Sequence, residues 1–243
     1  SNGTEVAPKD ICVGDELMHN CPSVFPSVEH KWEVSINKKL YGTNNKMYDT
    51  LKEAAIDLKC HVGSVTRKCV WKFSKRVVLY TPKFARLLGM FIGDGSCGQY
   101  KSKSGKKSSW AINNANKQML KEYKNIANNI FPEFQWKILP TLKSSGVYKL
   151  VPKSSKYGNI ARFVSFWRKI CYNVKREKKI DDCVLQSSEK HRQLFWKGLN
   201  DADGTKGTKE AEISQKGSEI SLSIVILLRS LGYENVVVDT RPD

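Results

Sequence analysis

Acidic residues are scarce in this chain of 243 residues: 24 Asp and Glu stand against 41 Lys and Arg, for a formal net charge of +17. The imbalance argues for a polyanionic partner. Nucleic acid comes before membrane, because the basic residues alternate with polar and aromatic ones. There is no apolar run long enough to cross a bilayer and no signal-peptide core in residues 1–10, so a soluble, intracellular protein is expected. No Cys-x-x-Cys pair occurs among the seven cysteines, and their odd number points to free thiols in a reducing compartment. Cys60 and His61 are adjacent and, with Cys69, lack an obvious fourth ligand, which weighs against structural zinc.

One stretch, by contrast, is present twice: Leu87-Leu88-Gly89-Met90-Phe91-Ile92-Gly93-Asp94-Gly95 and Trp196-Lys197-Gly198-Leu199-Asn200-Asp201-Ala202-Asp203-Gly204. Each copy closes an apolar helical pattern, and the two lie 203 − 94 = 109 residues apart. A repeat of that length implies two similar halves. Gly89 and Gly198 remove Cβ in mid-helix at roughly 1 kcal/mol each against Ala, which is warranted where two backbones must come very close. Gly95 and Gly204 fall where a helix ends in a left-handed residue. Asp94 and Asp203 then occupy the last turns of adjacent helices, where the macrodipole disfavours negative charge and a cation is called for. Two such carboxylates form a natural Mg²⁺ site, with the carbonyls of Gly93 and Ala202 as secondary ligands.

The paired motifs resemble those of the LAGLIDADG homing endonucleases, of the single-chain, two-motif, intein-encoded kind. The resemblance covers roughly residues 80–240; the second copy is close to the family pattern, and the first carries Ile92 in place of the earlier Asp. It implies a mixed α/β (α+β) fold of two pseudo-symmetric αββαββα halves with the motif helices paired at the interface. It also implies a monomer that hydrolyses double-stranded DNA at a long site with Mg²⁺ or another divalent cation, leaving short 3′ overhangs. Lys178-Lys179-Ile180 is similar to the family's Lys-x-Ile-Pro segment, with Asp181 in place of proline. The resemblance thus makes Asp94, Asp203 and Lys178 catalytic, the lysine orienting water or stabilising phosphorane charge. The equivalent lysine of the second half would fall beyond Asp243. Two rival readings are a cleavage-inactive DNA- or RNA-binding, maturase-like scaffold and a fragment of a self-splicing intein.

Four segments follow along the chain. Residues 1–30 contain Gly3-Thr4-Glu5-Val6 and Ile11-Cys12-Val13-Gly14-Asp15, which look like the opening strands of an intein splicing domain. No Thr-x-x-His block or terminal His-Asn follows, so a segment that cannot splice as it stands is expected. Residues 31–79 are expected to form a helix-turn-helix module, with Asp49 to Leu58 as first helix and a second presenting Thr66, Arg67 and Lys68 to DNA. Residues 80–180 form the first half: motif helix, a hairpin around 97–112, a helix over 116–130, strands at 135–139 and 147–151, and a helix over 159–172. Residues 181–243 form a second half, expected to be reduced or incomplete, with helices over 188–202 and 218–231, a hairpin beginning at 205–214 and a strand at 235–239. Recognition would come from the hairpins, since a two-stranded ribbon fits the major groove. Gln99, Lys101, Lys103, Lys106, Lys107, Trp110, Lys137, Lys143 and Lys149 are the expected contacts in the first half, and Lys206, Lys209, Gln215 and Lys216 in the second.

Overall fold

Two helices run through the centre of the molecule. In α3 (Pro82–Asp94) the Thr81 side chain accepts the Phe84 N–H at 3.2 Å and Pro82 occupies the first turn, both of which favour starting a helix there. Its partner is α7 (Glu189–Asp203). The structure, a computed structural model, describes residues 27–103, 105–142, 145–154, 158–205, 212–233 and 236–238. The expected intein-like segment thus lies almost wholly outside the described residues, as do Lys143, Lys206 and Lys209.

The repeat is realised as reciprocal backbone contact. A Cβ added at Gly89 would strike the Phe195 carbonyl and sit 2.8 Å from the Leu199 nitrogen; one added at Gly198 would strike the Arg86 carbonyl and sit 2.9 Å from the Met90 nitrogen. Residues 86, 89 and 90 are each 109 positions before 195, 198 and 199. The two contacts are therefore the same contact related by a local twofold axis. The conformational penalty of the mid-helix glycines is offset by an approach that any Cβ forbids.

The same axis accounts for Ile92. Arg86 of α3 donates to Asp201 Oδ2 of α7 at 3.1 Å, and the Tyr123 hydroxyl donates to the same oxygen at 2.8 Å. Shifted by 109 residues, this pair becomes Phe195 and Ile92, both buried. One side of the axis is ionic and the other apolar, so Ile92 stands where an aspartate would face a phenylalanine.

The expected left-handed helix ends are corrected. Gly95 (φ −86°, ψ 154°) and Gly204 (φ −70°, ψ 139°) are extended. Glycine is required there for a different reason: a Cβ at Gly95 would enter the ring and carbonyl of Phe91, and one at Gly204 would lie 2.5 Å from the Asn200 carbonyl. The chain leaves the first helix directly into a strand.

That strand, β4 (Gly95–Ser102), pairs antiparallel with β5 (Gly105–Asn114). Then come α4 (Lys117–Ile130), β6 (Phe134–Pro140), β7 (Tyr148–Ser154) and α5 (Ile160–Cys171), giving one antiparallel sheet of order β4-β5-β7-β6. The first half is thus αββαββα as expected. Asn116 and Asn159 cap α4 and α5 through their side chains. One sheet face buries Trp110, Ile112, Phe134, Trp136 and Leu150 against Phe91, Phe163 and Trp167 from the helices. Each such ring removes enough apolar surface to contribute about 2–3 kcal/mol. In the second half, α7 and α8 (Ser218–Ser230) occupy the expected places, joined to the first by short α6 (Asp182–Leu185). Among the described residues no strand lies beyond α7, and most of the expected second hairpin falls outside them.

Residues 31–79 depart from the expected helix-turn-helix. They form a long antiparallel ribbon of β1 (Lys31–Gly42) and β3 (Cys69–Leu79), with β2 (Met47–Tyr48) at its edge, α1 (Leu51–Asp57) and the four-residue α2 (Val65–Lys68). A single turn cannot lie along a groove, because the backbone enters β3 at Cys69. Thr66, Arg67 and Lys68 are nonetheless exposed on it. The ribbon's outer end has a small core of its own, from Leu40, Tyr48, Ala54, Ala55, Val65 and Cys69. Its base joins the main core, where Arg76 pairs with the buried Glu133 and donates to the Ile130 carbonyl at 2.8 Å.

Candidate active site

The paired helices end together. A Cβ on Gly93 would lie 3.1 Å from Asp203 Oδ2 and would strike the Ala202 methyl, so only glycine lets the Asp203 carboxylate fold against the end of α3. Asp94 and Asp203 are the last residues of α3 and α7. Both therefore stand at negative helix ends, where their charge is disfavoured by the field.

Lys178 sits against the end of α3, within the field of both aspartates. Its ammonium donates to the carbonyls of Ile92 and Gly93, each at 2.6 Å. These belong to the last turn of α3, whose carbonyls have no helical partner, and a cation suits them. Burial lowers the pKa of Lys178, while the charges of Asp203 and Asp94 act to raise it. Burial likewise raises that of Asp203, against Lys178 and Gln215. Desolvation therefore dominates at both groups, as expected of charges held close in a partly dry site.

Two carboxamides complete the arrangement. Asn114 Nδ2 donates to Asp94 Oδ2 at 2.5 Å, and its Oδ1 accepts the Asn116 N–H at 2.7 Å, which fixes which end of the amide faces the aspartate. Gln215 Nε2 donates to Asp203 Oδ2. Each motif aspartate thus has its own amide. Sequence reasoning missed Asn114 and placed Gln215 among the groove contacts. The first could have been found from the hairpin, since Gly95 pairs with Ile112 and residue 114 therefore returns to the end of α3.

The groups at the two helix ends that could hold a cation include the Asp94 and Asp203 carboxylates and the carbonyls of the last helical turns, all of them oxygens. That donor chemistry fits Mg²⁺, which is satisfied by one or two carboxylates plus water and phosphate. Among the described residues there is no cluster of three or more His, Cys, Asp or Glu side chains. The Gly93 carbonyl, expected as a ligand, accepts the Lys178 ammonium, and the Ala202 methyl packs against Gly93.

The register of the first hairpin divides the expected DNA contacts between two faces. Trp110 pairs with Cys97 and is 2 % exposed in the core, so it is no groove contact. Gln99, opposite Ser108, and Lys101, opposite Lys106, continue the Trp110 side beyond the core. Lys107, Lys137 and Lys149 alternate with core residues and point to the other, uncovered side. Lys103 is exposed at the hairpin end and Lys216 on the turn before α8.

No family model matches the chain. A DNA polymerase of Acanthamoeba polyphaga mimivirus is 40% identical over 169 residues, covering 65% of this chain and 9% of that protein. A DNA polymerase of Thermococcus aggregans is 25% identical over 193 residues, covering 75% and 10%. The chain thus spans about a tenth of the length of the curated relatives it matches. Among solved structures it is similar to mesophilic variants of the homing endonuclease I-DmoI (TM-score 0.46, 21% identity, 63% of this chain and 72% of that one). It is also similar to I-DmoI in complex with DNA and Mn (TM-score 0.44, 22% identity, 63% and 77%).

Proposed function

We propose that the chain is a site-specific endonuclease of the LAGLIDADG homing type, hydrolysing both strands of double-stranded DNA as a monomer. The observation that carries this reading is that reciprocal glycine contacts pair the helices that end in Asp94 and Asp203, with the Lys178 ammonium bound to the end of the first and acted on by both charges. A divalent cation held there would supply an activated water and neutralise the leaving oxygen. The chain's own part is to hold the cation through Asp94 and Asp203, and to present the Lys178 ammonium to charge building on the phosphate. Asn114 and Gln215 position the two carboxylates. Lys107, Lys137 and Lys149 line the face that takes the duplex, and a strong salt dependence of binding is expected.

The test is cleavage of a randomised duplex library with Mg²⁺ by the parent chain, Asp94→Asn and Asp203→Asn. Cutting at one enriched site, lost in either variant, is the expected result. Salt-sensitive binding without cutting would replace the nuclease with a binding scaffold, and the absence of both would end the nucleic-acid reading.

A second reading concerns what surrounds this domain. Its matches occupy about a tenth of proteins named DNA polymerase, which favours an element carried within a polymerase chain, as an intein is. Expression of the mimivirus relative followed by mass measurement distinguishes the outcomes: ligated polymerase plus a released element supports it, and a single uncut polypeptide opposes it.

A further inference from the structure

The residues that the hairpin register turns away from the duplex face, the exposed Lys101 and Lys106 among them, border a concavity. Gln99, Lys101 and Lys106 line a cleft of about 780 Å³ whose other wall is Arg168 and Tyr172 at the end of α5 and Arg176 in the following loop. Four cationic side chains thus line one concavity, and among the described residues no acidic one lines it. The cleft has an inner and an outer end. At the outer end are Lys101 and Lys106, beside the hairpin turn. At the inner end is Cys97, whose N–H donates to the Tyr172 hydroxyl at 3.3 Å and whose thiol feels the charges of both Arg168 and Lys178. The concavity therefore leads from the hairpin tip toward the neighbourhood of the catalytic lysine.

We infer that this cleft is a second nucleic-acid site, which takes a short single-stranded run of phosphodiester backbone. The inference rests on the nucleic-acid reading above but uses the opposite side of the sheet. Its size lies within the roughly 300–1,000 Å³ of built ligand sites, larger than one phosphate needs. Two guanidinium groups suit phosphate oxygens, whose geometry they match bidentately. Tyr172 and the exposed Tyr100 both line the cleft, and aromatic rings are the groups on which unpaired bases stack. A concavity of about 780 Å³ has room for a short run of one strand but not for a duplex, which commits the occupant to an unpaired strand.

The test uses the whole chain and a fluorescein-labelled hexathymidylate, with anisotropy as readout and a blunt duplex as the second probe. Arg168→Gln with Arg176→Gln should weaken hexathymidylate binding about tenfold or more, since charge-assisted contacts are lost, and leave duplex binding within about threefold. Lys107→Gln with Lys149→Gln should do the reverse. If the arginine pair unfolds the chain by circular dichroism, Lys101→Gln with Lys106→Gln on the exposed hairpin carries the same expectation. Unchanged hexathymidylate binding in these cleft variants would overturn the inference, and so would equal loss of both probes. Inorganic tripolyphosphate competing more tightly than the oligonucleotide would assign the cleft to free polyphosphate and overturn it as well. Loss of the duplex reading alone would show as absent duplex binding in the parent, with the hexathymidylate result still readable.

Discussion

The two sides of the local twofold axis differ in chemistry while sharing a backbone geometry. On one side Arg86 and Asp201 meet as ions, with Tyr123 donating to the same carboxylate; on the other the corresponding residues are the buried Phe195 and Ile92. Between them, Gly89 and Gly198 make the same close approach. The difference teaches that main-chain contact sets the spacing of the two helix ends, and that side chains around it are exchangeable provided each pair is matched within itself. An ion facing a phenylalanine, or an isoleucine facing an arginine, is the arrangement this pattern avoids.

The largest effects should come from the shared geometry. Gly89→Val and Gly198→Val each place atoms inside a facing carbonyl, and each should destabilise by about 3 kcal/mol or more. Urea unfolding would show both losses, and their similarity tests the symmetry. A tolerated valine at either position would break the comparison.

The two unlike sides come next. Ile92→Ala should cost about 2–4 kcal/mol through the cavity it leaves. Asp201→Ala should cost about 1–3 kcal/mol, because it removes the carboxylate shared by Arg86 and Tyr123 and leaves Arg86 the more exposed Glu122 at 3.3 Å. Only the second loss should shrink in high salt, which already screens the ion pair that the substitution removes. Measuring both variants at low and high salt separates an ionic side from an apolar one.

The smallest effect is at the site itself. Burial raises the Asp203 carboxyl from its ordinary value of 3.8. The folded state therefore holds its proton to higher pH than the unfolded state, and stability from this group falls as pH rises through that window. Asp203→Asn should remove this dependence and raise the melting temperature slightly near neutral pH in the absence of divalent cations. After solvent screening the gain is at most a few tenths of a kcal/mol. Thermal scans of parent and variant between pH 4 and 7 check the sign, and a variant less stable than the parent at pH 7 would contradict it.

Much of the first half was legible because its signals are local. The duplicated glycines and aspartates located both motif helices, and helical periodicity with Asn116 and Asn159 as caps placed α4 and α5 to within a residue or two. Residues 31–79 were not legible as a ribbon. In β1 the apolar alternation of Trp32, Val34 and Ile36 resumes only at Leu40, because Lys38 stands at the intervening inward position, and a register shift falls between Val34 and Asn37. Val70, Val77 and Leu79 of β3 are exposed, which blurs the pattern further. Trp110 was misplaced because a tryptophan in a basic hairpin suggests base stacking. Its parity with Ile112, two residues on, is the signal that puts it in the core. The carboxamides of Asn114 and Gln215 reach the aspartates only through the return of the chain, which spacing alone does not reveal.

The measurement that tests the central claim most directly is calorimetric titration of the parent chain with Ca²⁺, which occupies an oxygen site without supporting turnover, alongside Asp94→Asn and Asp203→Asn. If the glycine-paired helices build one cation site from both motifs, the parent binds and each variant binds at least about tenfold more weakly. Equal binding by all three, or loss in one variant alone, would contradict a site shared between the two halves.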